Sequence, residues 1–261
     1  MKRINPLLCL VVIFIASSCQ TTADEIQVVC LPLNMTSTII QGTETKKIIA
    51  DFHYVAETKR IDHITWSNHQ THYFEYDGSD RLSILRQVKV DTKVQEEMWF
   101  HYDGVLVDQI LLIHRNLDYI FLEPVDSTYT GYITFGYEGA NIVEQVRYAV
   151  AVNGDKEIVW KAEYEYDASG NMVSSFTTDM KAGTSESVTM TYDKSTHPFS
   201  DLSYYFTGES FVNNLVTKTL VEKAFEYTYE FTLNEQGYPE IIYEKLGSAN
   251  TRIIRYSYTC K

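Results

Sequence analysis

The sequence predicts an all-β protein: an antiparallel meander of successive hairpins curled into a barrel-like or strongly curved sheet, with a two-sheet sandwich as the alternative. Three observations carry that expectation. Short stretches of alternating aromatic and polar residues have the period of two that a strand with one buried face requires. Asp-Gly, Asp-x-x-Gly and Asn-x-x-Gly clusters separate them, supplying Asx-type turns and a residue tolerant of positive φ. No long apolar pattern of period 3.6 runs between Ala23 and Lys261, so helices are not expected.

The hairpin signals recur in one frame. His72 to Gly78 reads His-Tyr-Phe-Glu-Tyr-Asp-Gly and leads, past Ser79 and Asp80, into Arg81 to Leu85. Met98 to Gly104 leads into Val105 to Leu112, and Ile133 to Gly139 into Asn141 to Val146. Glu163 to Gly170 leads into Asn171 to Val173, while Val188 to Asp193 keeps only the first half. Tyr227 to Phe231 passes through Asn234 to Gly237 into Tyr238, and Arg255 to Tyr258 closes the chain on the same phase. Between two copies, Val150 to Asp155 is a further turn before Glu157 to Ala162. Tyr76, Tyr102, Tyr137, Tyr166 and Tyr192 precede their turns at one phase, which places their rings on one face of the sheet. Asp77, Asp103, Asp167 and Asp193 read as turn-formers rather than catalytic acids or calcium ligands.

This frame, aromatic-x-Tyr-Asp-x-x-Gly-Arg/Asn-Leu/Met, resembles the Tyr-Asp (YD) hairpin repeats of Rhs-type proteins. It is also similar to uncharacterised Bacteroidota lipoproteins that carry degenerate copies. Tyr192 to Phe199, followed by Asn213 to Lys218, looks like the Tyr-Asp…Asn-Pro-Phe stretch, insertion and Asn-Asn-Val-Thr-Lys segment of that second group. His197 replaces the Asn, and a Leu stands before Val216. The resemblance covers roughly residues 45–258 and implies a fold and a compartment but no reaction.

The N-terminus implies the same compartment. Lys2 and Arg3 precede an apolar run from Leu7 to Ile15, and Ala16-Ser17-Ser18 leads into Cys19. The order is that of a secretory signal peptide, and the cysteine at the cleavage point resembles the lipobox of bacterial lipoproteins. Residues 1–18 are therefore expected to be a signal peptide, residues 19–25 a tether acylated at Cys19, and residues 26–261 a single domain. The small residues before Cys19 also suit ordinary signal peptidase, which would leave a soluble chain with a free thiol. Cysteine arithmetic favours lipidation. Of 4 cysteines Cys9 leaves with the signal and Cys19 takes the lipid, leaving Cys30 and Cys260 as an even pair in a disulfide-permissive setting. A disulfide between them would tie the first strand, starting in Ile26 to Val29, to the last. Two unrelated thiols are the alternative.

Composition narrows the partners. The net charge of −13 becomes −15 once Lys2 and Arg3 leave with the signal, and so acidic a surface repels phosphate backbones. Nucleic acid is not an expected partner. The membrane is, through the N-terminal lipid, in the bacterial envelope and most naturally at the outer membrane. Hydrophobic content of 44% suffices for a core, and 5 Pro with 12 Gly argue against a low-complexity stalk.

The sequence offers little chemistry. His69-x-x-His72 is the tightest histidine pair, but residues three apart on a strand point to opposite faces, so no metal and no cofactor are expected. Phosphate loops, nucleophile elbows and His-Glu-x-x-His are absent from the sequence. Trp66, Trp99 and Trp160, with 20 tyrosines, form a possible ligand-stacking set, although aromatics at period two more commonly fill cores and cross-strand pairs. Asn34-Met35-Thr36 and Asp126-Ser127-Thr128 are short glycosylation-type triplets that arise readily by chance. The expected role is a non-catalytic, envelope-anchored module that binds a glycan or another envelope protein, or acts as a scaffold. The competing class is a glycan hydrolase using a carboxylate pair in a sheet groove.

Overall fold

A computed structural model describes residues 30–56, 58–117, 126–196 and 213–260. The expected signal peptide, the tether and Cys19 lie outside these, as do Ile26 to Val29 and the His197 to Phe199 stretch. Among the described residues, sixteen strands follow one another in chain order. They are β1 (Cys30–Gln41), β2 (Glu44–Tyr54), β3 (Ile61–Trp66), β4 (Gln70–Tyr76), β5 (Leu82–Lys89) and β6 (Val94–Asp103). Then come β7 (Leu106–Asn116), β8 (Thr128–Glu138), β9 (Asn141–Val150), β10 (Lys156–Tyr166) and β11 (Met172–Asp179). The last are β12 (Thr184–Thr196), β13 (Asn213–Leu220), β14 (Phe225–Leu233), β15 (Pro239–Leu246) and β16 (Ala249–Cys260). Each strand pairs antiparallel with the next, and β16 pairs with β1, closing a barrel. The sandwich alternative is not formed. The one helical turn among the described residues is a 3-10 turn at Val221–Lys223.

Tracing partners around the ring gives each face one identity. Phe52 stands opposite Ile64, Phe74 opposite Leu85, Phe100 opposite Ile110 and Ile110 opposite Ile133. These side chains pack into one buried cluster from β2 to β8, so this face is the lumen. Met172, Val188 and Met190, with Tyr164, Tyr166 and Tyr192 against them, form a second cluster on the lumenal face of β10–β12 at the same end. The lumen is apolar at the end where even-numbered strands finish. Toward the other end its side chains become polar, for example Gln87 and Lys89.

The repeat tyrosines explain how that end is built. Their rings are half-buried and share the lumenal phase, as expected. Six hydroxyls donate to a backbone carbonyl near the start of the preceding strand. Tyr54 reaches Pro32 O, Tyr76 Ile61 O, Tyr102 Leu82 O, Tyr137 Val107 O, Tyr192 Met172 O and Tyr258 Pro239 O, at 2.6–3.0 Å. Each bond clasps the open end of one hairpin. Burial raises the pKa of the Tyr54 and Tyr258 phenols, so these hydroxyls keep the proton they donate.

The residues after each tyrosine prepare the next clasp. The Asp77 carboxylate accepts from the backbone N–H of Ser79 and Arg81 at 2.8 and 3.0 Å. Asp167 does the same for Ser169 and Asn171, and the Asn234 side-chain carbonyl for Gln236 and Tyr238. Leu82, Met172 and Pro239, the residues that leave these three turns, carry the carbonyls that Tyr102, Tyr192 and Tyr258 find. Asp103 flanks a two-residue turn as expected. Asp193 does not form a hairpin turn: it lies within β12, where its carboxylate accepts from Ser195 N and, across the strand pair, from Asn214 N.

A β-bulge accompanies every repeat tyrosine. The register slips between His53 and Tyr54, Glu75 and Tyr76, His101 and Tyr102, Gly136 and Tyr137, Glu165 and Tyr166, and Thr191 and Tyr192. The extra residue sits on the following strand, as Ser83 does between Leu82 and Ile84. Bulges bend a strand and increase its twist, which curls the sheet toward closure. They also turn residues three apart to the same side, so Ile61 and Ile64, or Leu82 and Leu85, are buried together.

Cys30 and Cys260 stand opposite each other in the closing β1–β16 pair and are disulfide-bonded across a separation of 230 residues. In the chain-entropy model a cross-link of that span stabilises the fold by up to about 5 kcal/mol. Replacing both cysteines with serine is therefore expected to lower the denaturation midpoint strongly without opening the barrel, measured by chemical unfolding. Tyr102→Phe, which deletes only the hydroxyl, is expected to cost about 1 kcal/mol, and Tyr102→Ala about 3 kcal/mol. An unchanged melting temperature in both variants would contradict the clasp.

Candidate functional site

The residues with most chemistry lie on two faces. Inside, at the polar end of the lumen, Trp66 ends β3 and His72 lies in β4. Trp66 Nε1–H donates to His72 Nδ1 at 3.1 Å, which fixes the neutral ring with its proton on Nε2. Burial, and then the charge of Lys89, press the His72 pKa down to about 4. His69 sits at the hairpin tip with a φ of 62°, beside Asp91, so the two histidines point apart, as the spacing predicts.

Outside, the opposite phase of β5, β6 and β7 carries an ionic knot. Glu97 is 3% exposed although it lies on the outer face, because its partners cover it. Its carboxylate accepts from Trp99 Nε1 at 2.7 Å, Arg115 Nη2 at 3.1 Å and Arg86 Nε at 3.2 Å, and from the Gln95 amide. Arg86 in turn reaches Glu75 at 2.6 Å. Burial pushes the Glu97 pKa up, but the bonds from Arg115, Trp99 and Arg86 outweigh it and hold the carboxyl below its ordinary range. The carboxylate is fully committed and stays ionised. Burial also works against the Arg86 charge, and Glu97 with Glu75 more than restores it.

Further along the outer face, Tyr132 and Tyr148 stack at 4.7 Å across β8 and β9, with Lys156 5.1 Å from the Tyr132 ring centre. Gly131, in β8 beside Tyr132, has a φ of 154°, and a Cβ there would stand 2.0 Å from Tyr148 O. On β2–β4, His53 stacks on His63 at 4.1 Å and His63 lies 5.8 Å from Tyr73.

The three tryptophans do not share a surface. Trp66 and Trp160 take the lumenal phase of β3 and β10, and Trp99 lies on the outer face of β6, 36% exposed. The sequence reading missed the Arg86–Glu97–Arg115 knot, since its charges come from three strands. The one local hint was Gln95-x-Glu97-x-Trp99, three polar or aromatic residues on a single strand phase.

No family model and no curated protein matches the chain. Among solved structures, it is similar to a porin-like protein from Bacteroides vulgatus, with a TM-score of 0.51 and 10% identity over 88% of this chain and 99% of that one. The two share a barrel fold. At that identity the likeness extends to fold alone. A porin-like protein from Bacteroides uniformis superposes more loosely, with a TM-score of 0.33 and 10% identity over 87% of this chain and 98% of that one. A TcdB2-TccC3-Cdc42 structure gives a TM-score of 0.35 and 14% identity over 87% of this chain, which spans only 12% of that one. Neither of these looser superpositions carries an argument.

Two outcomes test the site geometry. A His72 pKa below that of the unfolded chain means that acidification favours the unfolded state, which takes up the proton first. The stability contributed by neutral His72 is complete above about pH 6.5, falls as the pH drops toward about 4, and is constant below that. A His72→Gln variant is expected to show a flatter loss of melting temperature over this window. Gly131→Ala is expected to be destabilising by more than the ~1 kcal/mol typical of a surface change, because backbone must move to admit the methyl group.

Proposed function

We propose that this chain is a lipid-tethered, envelope-facing barrel with a non-catalytic binding or scaffolding role, and that it works in water rather than as a bilayer channel. One observation carries the reading: the polarity of the barrel wall. A membrane-spanning barrel presents an apolar band about 25 Å tall to lipid and keeps its interior polar. Here the apolar cluster is inside. The outer phase carries ion pairs in mid-strand, with Lys161 between Glu144 and Glu163 at 2.8 and 2.9 Å, Lys245 on Glu230, and the Glu97 knot. A cation facing lipid at the midplane costs roughly 2–4 kcal/mol, so these strands are poor membrane spans.

Cys19, acylated as the mature first residue, would supply the membrane attachment. Position 30 begins β1 at the apolar, tyrosine-clasped end, only a short spacer from Cys19. A tether that enters at position 30 would hold the apolar end of the barrel toward the bilayer and the polar end away from it. The porin-like fold from Bacteroides is compatible with an outer-membrane address. Binding energy of about 0.8 kcal/mol per buried CH₂ makes more than one acyl chain necessary for stable anchoring, which a triacylated cysteine provides.

Cys19→Ala is expected to move the protein from the membrane to the aqueous fraction, and the parent protein is expected to add no ion conductance to planar bilayers. Retention of the variant in membranes would overturn the anchor. Channel currents that persist after purification would overturn the aqueous barrel. Release of reducing sugar from envelope glycans would favour the hydrolase reading instead.

A further inference from the structure

The outer face of β5–β10 carries one row of apolar and aromatic side chains in continuous register. Ile84 stands opposite Trp99, Trp99 opposite Leu111, Leu111 opposite Tyr132, Tyr132 opposite Tyr148 and Tyr148 opposite Ile158. We propose that this row binds a linear, uncharged glycan chain. The proposal rests on the reading of the protein as a non-catalytic binding module and names its ligand class.

Shape supports a linear chain. With strands about 4.8 Å apart, six strands make a stripe roughly 25 Å long, and same-face residues stand about 7 Å apart along a strand. The stripe is one to two residues wide. Its neighbouring rows are mixed, with Arg86 and Glu97 running into Ile113 and Tyr129 on one side, and His101, Gln109, Thr134 and Lys161 flanking Val146 on the other. A footprint on the order of 200 Å² falls well short of the ~800 Å² that each partner of a stable protein interface commits. A single extended polymer matches it.

Chemistry supports sugar. The bond from Trp99 Nε1 to Glu97 Oε2 ties the indole to the residue two positions earlier on the same face, so the ring lies along its own strand. Glu97 is itself held by Arg86 and Arg115, so little side-chain freedom remains to be lost on binding. The negative face of an aromatic ring attracts the weakly positive C–H face of a pyranose. Tyr132 and Tyr148 are stacked on each other, so they turn edges and hydroxyls outward and serve as hydrogen-bonding groups for sugar hydroxyls. Tyr132 and Trp99 stand on alternate strands, about 10 Å apart, a span that two linked hexoses cover.

Charge supports a neutral ligand. Most ionic groups beside the stripe are closed on one another, Arg86 and Arg115 on Glu97, and Lys161 on Glu144 and Glu163, while Lys156 lies over the Tyr132 ring. Beyond Lys156, a charged glycan would have to break these pairs to find a counter-ion.

The test titrates the full lipidated chain in detergent micelles with linear neutral hexasaccharides of β-linked glucose, xylose and mannose, and with an oligogalacturonate as the acidic comparator. Tryptophan fluorescence and calorimetry read binding, and chromatography checks the sugar for cleavage. At least one neutral chain is expected to bind, with affinity reduced at least about tenfold in Trp99→Ala and in Leu111→Glu, and unchanged in Trp66→Phe, whose indole is lumenal. Leu111→Glu keeps the Trp99–Glu97 bond and so decides the matter if Trp99→Ala does not fold. Three results would overturn the proposal: no neutral hexasaccharide binds, binding survives both outer-face variants, or the acidic chain binds more tightly. Shortened sugar with binding still lost in the variants would sink the non-catalytic reading and leave the stripe in place.

Discussion

A hydrogen bond from a tyrosine hydroxyl to the first carbonyls of the neighbouring strand sets the rest of this barrel. It satisfies two requirements at once. The ring must enter the lumen for its hydroxyl to reach the backbone, which fixes the inward phase of the strand. The bond then pins the open end of the hairpin, where the turn itself gives no support. The following Asx turn delivers a Leu, Met or Pro whose carbonyl receives the next tyrosine, so each repeat positions its successor. Net contributions of about 1 kcal/mol per hydrogen bond are individually modest. Their shared phase is what specifies the register of so many strands, since a slip by one residue would expel a phenol and its apolar neighbours together.

That phase also decides which solvent each face meets. With the rings inside, the apolar clusters line one end of the lumen, and the remaining phase is free to carry ion pairs and the Glu97 knot. The chain thus shares its fold with a porin-like protein and buries its apolar clusters inside the barrel. The disulfide acts at the seam where order is least local, joining the only strands in the ring that are distant in sequence. No extended edge is left open there for pairing with another chain.

Much of this was legible in the sequence, and the limits have physical causes. Period-two aromatics and Asx turns gave the hairpins, the lumenal tyrosines and the meander, because each is a local property. Closure was open, since curvature comes from bulges such as the one at Ser83, and a bulge residue looks like any other strand residue. Asp193 was misplaced for a related reason: its carboxylate answers the backbone of Asn214 across a strand pair, a contact that follows a long intervening segment. The outer site was the least readable part. Arg86, Glu97 and Arg115 meet only once three registers are known, and Trp99 faces away from Trp66 and Trp160 by a parity that the bulges shift.

The central claim is that the barrel wall faces water on its outside and apolar side chains within. The most direct measurement is the folding of residues 20–261, lacking signal and lipid, in buffer without detergent, followed by sedimentation velocity and near-UV circular dichroism. The account predicts a compact species with ordered tyrosine signals. A chain that aggregates in buffer and acquires those signals only in micelles or vesicles would contradict it.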